Sequence, residues 1–322
     1  MFKVEKFDFK VDVFQFSSSD DSYQRALHMQ EKHAYFRNSL LPYWLLFPQL
    51  AITFLFFLWP ATQAIKSSFE REDPFGFSTA FIGLENYMTI FSDTTYIQSL
   101  LTTIIFSVSV TLVSMTISLL LAVSVDRVIR AKKAYTMLLL WPYAVAPVLA
   151  GILWLFIFHP TIGTFPFLLE KIGIIWNHRI NGVQAMLLVV IAASWQQISY
   201  NFLFFLAGLQ SVPHSQIEAA AIDGAGPFKR FWTIIFPQIS PTTFFLLIIN
   251  VNYVMFDTFG IIDNMTSGGP ARATSTIVYK VYEDGFKNQM IGASAAQSTI
   301  LMLMVIILTL IQFRWIERRV QY

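Results

Sequence analysis

The 322-residue chain is 55% hydrophobic and 13% charged, with 32 Phe, no Cys and a formal net charge of +2. Soluble domains carry about 25% charged residues and keep a wetted polar surface, so this composition excludes a soluble globule and points to a bilayer. The small net charge gives no reason to expect a nucleic-acid partner, and the absence of cysteine excludes disulfides, thiol nucleophiles and thiolate metal sites.

Residues 1–39 hold six basic and six acidic residues and no early apolar stretch, so no signal peptide is expected there. Val4 to Val13 alternates apolar and charged residues at a strand-like period, Ser17 to Asp21 reads as a break, and Ser22 to Asn38 as a polar helix. This segment is expected to be a cytoplasmic extension, with residues 40–322 forming the membrane domain.

A membrane helix needs about 20 predominantly apolar residues. Six segments meet the requirement: Leu40–Ile65, Ile97–Val125, Ala134–Phe158, Ala185–Leu209, Pro241–Phe256 and Ala293–Phe313. The fifth is short, carries Asn250 and Asn252, and has room to extend past Asp257 to Ile262. With the N-terminus inside, the inner segments hold 15 Lys and Arg and the outer loops 7, the asymmetry expected of cytoplasmic loops. Arg127, Arg130, Lys132 and Lys133 supply most of the short-loop bias. Both termini and the loop after the fourth segment are therefore expected in the cytoplasm. His28, His33, His159, His178 and His214 form no pair at helical spacing, so no metal site is expected.

That inner loop is the most informative stretch. Ile217 to Ile222 reads as a short Ala-rich helix closed by Gly224 and Gly226. A second helix runs from Pro227 to Phe236, and Pro237 breaks the chain before the next span. The pair presents small residues and one carboxylate, Glu218. Two readings stand on these residues alone: a docking knob for another protein, or local packing.

The same stretch resembles the EAA loop of binding-protein-dependent ABC importers: Glu-Ala-Ala, three residues, Gly, nine residues, Ile, one residue, Leu-Pro. Glu218, Ala219, Ala220, Gly224, Ile234 and Pro237 meet the pattern over 218–237, with Asp223 beside Gly224 and Phe236 in place of the Leu. Further runs carry the likeness along residues 40 to 322: Asp73-Pro74-Phe75-Gly76-Phe77, Gly83-Leu84-Glu85-Asn86-Tyr87, Trp141-Pro142-Tyr143-Ala144-Val145-Ala146-Pro147, Gln197 to Phe205, and Thr266-Ser267-Gly268-Gly269-Pro270. Together they resemble the A-type permeases of sn-glycerol-3-phosphate importers, within the carbohydrate-uptake group.

The resemblance implies an all-α, maltose-permease-like fold of six transmembrane helices with a cytoplasmic coupling helix, in a bacterial inner membrane. It implies four kinds of partner: a second homologous permease, an ATPase dimer, a periplasmic substrate-binding protein and the lipid bilayer. Glu218 would pair with a basic residue of the ATPase. No Gly-rich phosphate loop with Lys and Ser/Thr occurs, so this chain is expected to bind no cofactor and the partner to hydrolyse ATP. The alternative within transport is a permease for another sugar or oligosaccharide. An enzyme is disfavoured by the dispersed acids, and a structural adaptor would leave the loop without an ATPase.

Polar groups in hydrocarbon need partners or a wet cavity. Gln197, Tyr200, Asn201, Asn250, Tyr253 and Gln297 are candidates to line a polyol path. Interhelical hydrogen bonding is the other reading. The predicted spans contain no Lys or Arg, so recognition of a phosphate is left to backbone amides, helix ends or partner subunits.

Overall fold

The computed structural model describes residues 40–72, 78–127 and 132–316. The expected N-terminal extension, the Asp73–Phe77 run and Arg130 lie outside them. The chain forms two compact units, one up to Pro60 and one from Ala61 onward.

The first span is α1, Pro42–Ser67, with Pro42 in its first turn, where a missing amide costs nothing. After it, strands β1 (Glu70–Glu72) and β2 (Thr79–Phe81) pair antiparallel, Arg71 opposite Ala80. Helix α2, Glu85–Ser92, follows. Its Asn86 amide donates to the Ser68 and Glu70 carbonyls at 2.9 and 3.0 Å, which anchors the strand pair.

The second unit is built around two long helices, α3 (Thr94–Asp126) and α7 (Gly182–Ser211). Each starts at a residue whose side chain takes up free helix amides. Asp93 accepts from the Thr95 amide at 2.8 Å, and Asn181 from those of Val183 and Gln184 at 3.0 and 3.2 Å. The buried face of α3 is a stripe of small residues including Ser99, Thr103, Ser107, Ser114, Ser118 and Ala122. Small side chains let membrane helices approach closely: α7 packs against α3, while Ser99, Thr103 and Ser114 of the stripe bond Ser275, Ile277 and Asn250. Within their apolar windows α7 is 61% buried and α3 33%, so α7 is the central helix.

The expected third span is not one helix. α4 (Lys132–Ala144) and α5 (Pro147–Ile157) meet at 101°. Pro142 and Pro147 cause the break. Neither offers an amide, and the residue before Pro147 is driven to extended backbone, Ala146 lying at ψ 140°. The break frees the Val145 carbonyl, and Gln196 of α7 donates to it at 2.5 Å. This is how irregular backbone is tolerated inside a membrane protein.

Beyond α5 come the short helix α6 (Thr164–Glu170), then α7, α8 (His214–Ile222), α9 (Pro227–Gln238) and α10 (Ser240–Asp257). α9 and α10 meet at 67°. Helix α11 (Phe259–Met265) continues α10 past a break at Thr258, so the extension expected beyond Asp257 exists as a separate helix. Helix α12 (Ile277–Tyr282) is prolonged by a wider turn, Glu283–Lys287, and α13 (Ile291–Arg314) is the last span. Among the described residues four helices are long and apolar enough to cross a membrane, and up to six crossings result when each bent pair counts as one.

Candidate functional site

Helix α8 ends by a specific mechanism. The Ala225 amide bonds the Ala220 carbonyl at 2.9 Å and the Gly224 amide that of Ala221 at 3.1 Å. Gly224 sits at φ +79°, the left-handed residue such an ending requires. Gly226 does not share this role. Its φ is −66°, and it stands immediately before α9, with Pro227 at the first helical position. Nor does the chain break at Pro237. That ring fits within α9 because the preceding turn, Phe231–Ile235, is wide, the Phe236 amide reaching back to the Phe231 carbonyl. The bend falls at Ile239, with φ −89° and ψ 5°.

The resulting elbow has two faces. Glu218, Ala219, Ala221 and Asp223 are exposed, beside Ile222 at 87% and Phe228 at 78% exposure. Ala220 and Ile234 are half-buried. On the inner face, Ile217, Ile235 and Phe236 pack against the cluster of Ala122, Val125, Leu206 and Leu209. Gln238 Nε2 donates to Gln216 Oε1 at 2.6 Å and ties α9 to α8. Through these contacts the elbow is seated on the ends of α3 and α7.

Of the candidate path residues, the structure joins Asn201 and Asn250 directly. Each amide donates to the other's carbonyl, at 3.1 and 2.9 Å, and both residues are fully buried. Asn250 also accepts from the Ser114 hydroxyl at 2.9 Å and donates to the Leu246 carbonyl at 2.7 Å. Three spans, α3, α7 and α10, meet at this clamp. Near it on the same helices, the Tyr253 hydroxyl donates to the Ala193 carbonyl at 3.4 Å. Gln197 is buried, while Tyr200 is half-buried with its ring 5.5 Å from that of Tyr143.

Gln297 belongs to a different network, which sequence reasoning missed. Its Nε2 donates to Asp284 Oδ2 at 2.6 Å. Lys280, with its side chain 4% exposed, stands between Asp284 Oδ2 at 2.9 Å and Asp93 Oδ2 at 3.2 Å. Asn288 donates to the other Asp284 oxygen at 3.1 Å. Burial would raise the Asp93 carboxyl. Bonds from the Thr95 hydroxyl and amide, with Lys280, outweigh it and hold Asp93 below the usual carboxylate range. A cation thus does lie buried in the fold, on α12 between the fifth and sixth spans. The i, i+4 spacing of Lys280 and Asp284 was the available signal, but it sat in a stretch read as a loop.

Comparison with known proteins places this geometry. The family described as "Binding-protein-dependent transport system inner membrane component" matches residues 114–322, which include the elbow, the asparagine clamp and most of the ion network. The chain belongs to this family. The permease is 58% identical over 287 residues, 89% of its length and 98% of the relative's, to the sn-glycerol-3-phosphate transport system permease protein UgpA of Rhizobium meliloti. To the protein of the same description from Pectobacterium atrosepticum it is 53% identical over 91% of its length and 100% of the relative's. Among solved structures it resembles a bacterial ABC transporter involved in the import of the acidic polysaccharide alginate. The TM-score is 0.75 at 18% identity, covering 92% of this chain and 99% of that one. A second crystal structure of such an alginate transporter, in complex with a periplasmic protein bound to alginate pentasaccharide, gives a TM-score of 0.76 at 19% identity over 87% and 95% of the chains. The expected ABC importer permease fold is the observed one, and the family is one of transport components of the inner membrane.

Proposed function

We propose that this permease takes up sn-glycerol 3-phosphate, driven by a separate ATPase that docks on the Glu218 elbow. The reading of the substrate rests on the relatives' descriptions at 53–58% identity over nearly their whole length. The reading of the coupling rests on one observation: the α8–α9 elbow exposes Glu218 together with Ile222 and Phe228, while its other face is packed onto the ends of α3 and α7. An exposed apolar patch ringed by polar groups marks a protein contact.

In this scheme both termini and the elbow face the cytoplasm. The working assembly contains a second homologous permease, two ATPase copies and a periplasmic substrate-binding protein. ATP is bound and hydrolysed by the ATPase, none by this chain. The polyol passes along α7 and α10, close to Gln197, Tyr200 and Tyr253, and the Asn201–Asn250 clamp fixes the spacing of those helices.

The test is reconstitution of the whole complex in liposomes with labelled sn-glycerol 3-phosphate. Accumulation is expected only with ATP and the binding protein present. Glu218→Lys should insert and assemble with the second permease yet lose ATP-driven uptake. Reversing a charge that is desolvated on docking costs on the order of 3–5 kcal/mol, enough to release the ATPase. Uptake by Glu218→Lys at the rate of the unaltered complex would refute the coupling, and accumulation of a neutral sugar in preference to sn-glycerol 3-phosphate would refute the substrate.

A further inference from the structure

At the end of the bundle opposite the elbow, a cavity of about 190 Å³ is lined by His178, Arg179, Met265, Thr266, Gly269 and Pro270. Two elements make it: the turn leading into α7, and the Ser267-Gly268-Gly269-Pro270 loop after α11. The loop is held in place. The Thr274 hydroxyl donates to the Gly269 carbonyl at 2.9 Å and lies 2.7 Å from the Thr266 hydroxyl. A Cβ added at Gly182, the first residue of α7, would come within 2.6 Å of Ala273 Cβ, so the loop sits directly against the start of that helix. The cavity is smaller than the roughly 300 Å³ at which pockets for drug-sized ligands begin, and suits a small polar group.

Its wall is electropositive and under-used. Arg179 Nη2 donates to His159 Nε2 at 3.0 Å, a ring that brings no negative charge, and among the described ion pairs Arg179 has no carboxylate partner. His178 is 3% exposed, and its Nδ1 has no hydrogen-bond partner. A buried polar atom left without a partner costs about 1–3 kcal/mol and calls for an explanation. Burial, then the charges of Arg179 and His159, outweigh a hydrogen bond with the Phe158 backbone and hold the His178 ring below the usual imidazole range, so it stays neutral, with Nδ1 left as an acceptor, while Arg179 carries the charge. Asn181 begins α7 beside them, and the positive end of this 30-residue helix adds to the same field.

We propose that this cavity is an anion pocket that takes the phosphate monoester of the substrate before it enters the helix bundle, with Arg179 as the charged ligand and His178 Nδ1 accepting from the hydroxyl of the monoanionic phosphate. The proposal rests on the reading of the substrate as sn-glycerol 3-phosphate. It answers the absence of a cation from the predicted spans. The phosphate is selected at the mouth by a guanidinium, whose planar fork suits phosphate oxygens, so the spans pass the whole phosphate ester without having to discriminate it themselves.

The experiment uses the whole assembled complex with the unaltered chain, R179Q and R179K, compared at equal amounts of assembled complex. In a first arm, inorganic phosphate is titrated without binding protein. The Arg179-dependent binding should fall about tenfold or more in R179Q, the scale of one lost charge-assisted hydrogen bond, and much less in R179K, which keeps the charge. In a second arm, KM for uptake of sn-glycerol 3-phosphate should rise by a similar factor in R179Q, with the loss carried by KM rather than kcat. A third arm titrates a short-chain phosphatidylglycerol. Competition by this phosphodiester equal to that by inorganic phosphate would assign the pocket to lipid headgroups and overturn the proposal. Equal phosphate affinity in the unaltered chain, R179Q and R179K would also overturn it. Failure of the unaltered complex to accumulate sn-glycerol 3-phosphate, with Arg179-dependent phosphate binding intact, would refute the substrate and leave the anion pocket standing.

Discussion

Replacing Lys280 by Met is the most severe single change expected in this fold outside the elbow. The methylenes of Met fill the same channel, so the packing loss is small and the electrostatic change dominates. Two carboxylates then face each other without a cation. Asp284, with its side chain 10% exposed, keeps only amide donors from Gln297 and Asn288, and Asp93 is 35% exposed. Removing one partner of a buried ion pair costs on the order of 3–5 kcal/mol, and most of it should come from Asp284, because water screens the half-exposed Asp93. At about 2 °C per kcal/mol for a large domain, the midpoint should fall by about 6–10 °C. The comparison that isolates the cause is Asp284→Asn. Lys280 then still holds Asp93 at 3.2 Å, and the loss should be only about 1–2 kcal/mol. The double variant should be more stable than Lys280→Met alone, since it deletes the stranded charge. The assay is thermal unfolding of the purified complex in mild detergent at fixed scan rate. A loss below about 1 kcal/mol for Lys280→Met, or one no greater than that of Asp284→Asn, would refute the reasoning.

Two further expectations concern backbone and packing. Gly224→Ala and Gly268→Ala both place a side chain at a positive φ, +79° and +78°, yet their surroundings differ: no atom lies within 4 Å of the new Cβ at 224, while Tyr279 Cε1 lies 2.6 Å away at 268. The first should cost about 1 kcal/mol of backbone strain and leave the complex assembled, and the second several times more, read as the ratio of assembled to aggregated protein on gel filtration. Asn250→Leu strands the Asn201 amide inside the bundle, while the Ser114 hydroxyl keeps the Thr111 carbonyl at 3.3 Å, and should cost about 1–3 kcal/mol by the same thermal assay. Adding Asn201→Leu should recover part of that loss, because it removes a stranded partner.

The class of the protein is legible from residue composition and apolar runs alone. A chain with 13% charged residues and six long apolar runs has no other place to bury its surface, and Glu218 to Pro237 carried the helix–turn–helix elbow in its spacing. Local chemistry suffices there: Gly224 ends one helix and Pro227 starts the next whatever surrounds them. Where a residue's role depends on what arrives from elsewhere in the chain, the sequence was silent. Pro237 looked like a break until the wide turn before it made room for the ring. The polar face of α7 was legible as polar, but only the packing of α3, α7 and α10 made Asn201 and Asn250 a pair and sent Gln297 to another partner. Lys280 reads as a loop cation in the sequence and is a buried one in the fold, because Asp93, nearly two hundred residues earlier, is brought within 3.2 Å of it. Electrostatic partners are set by distance in space, and over such separations only the tertiary structure fixes that distance.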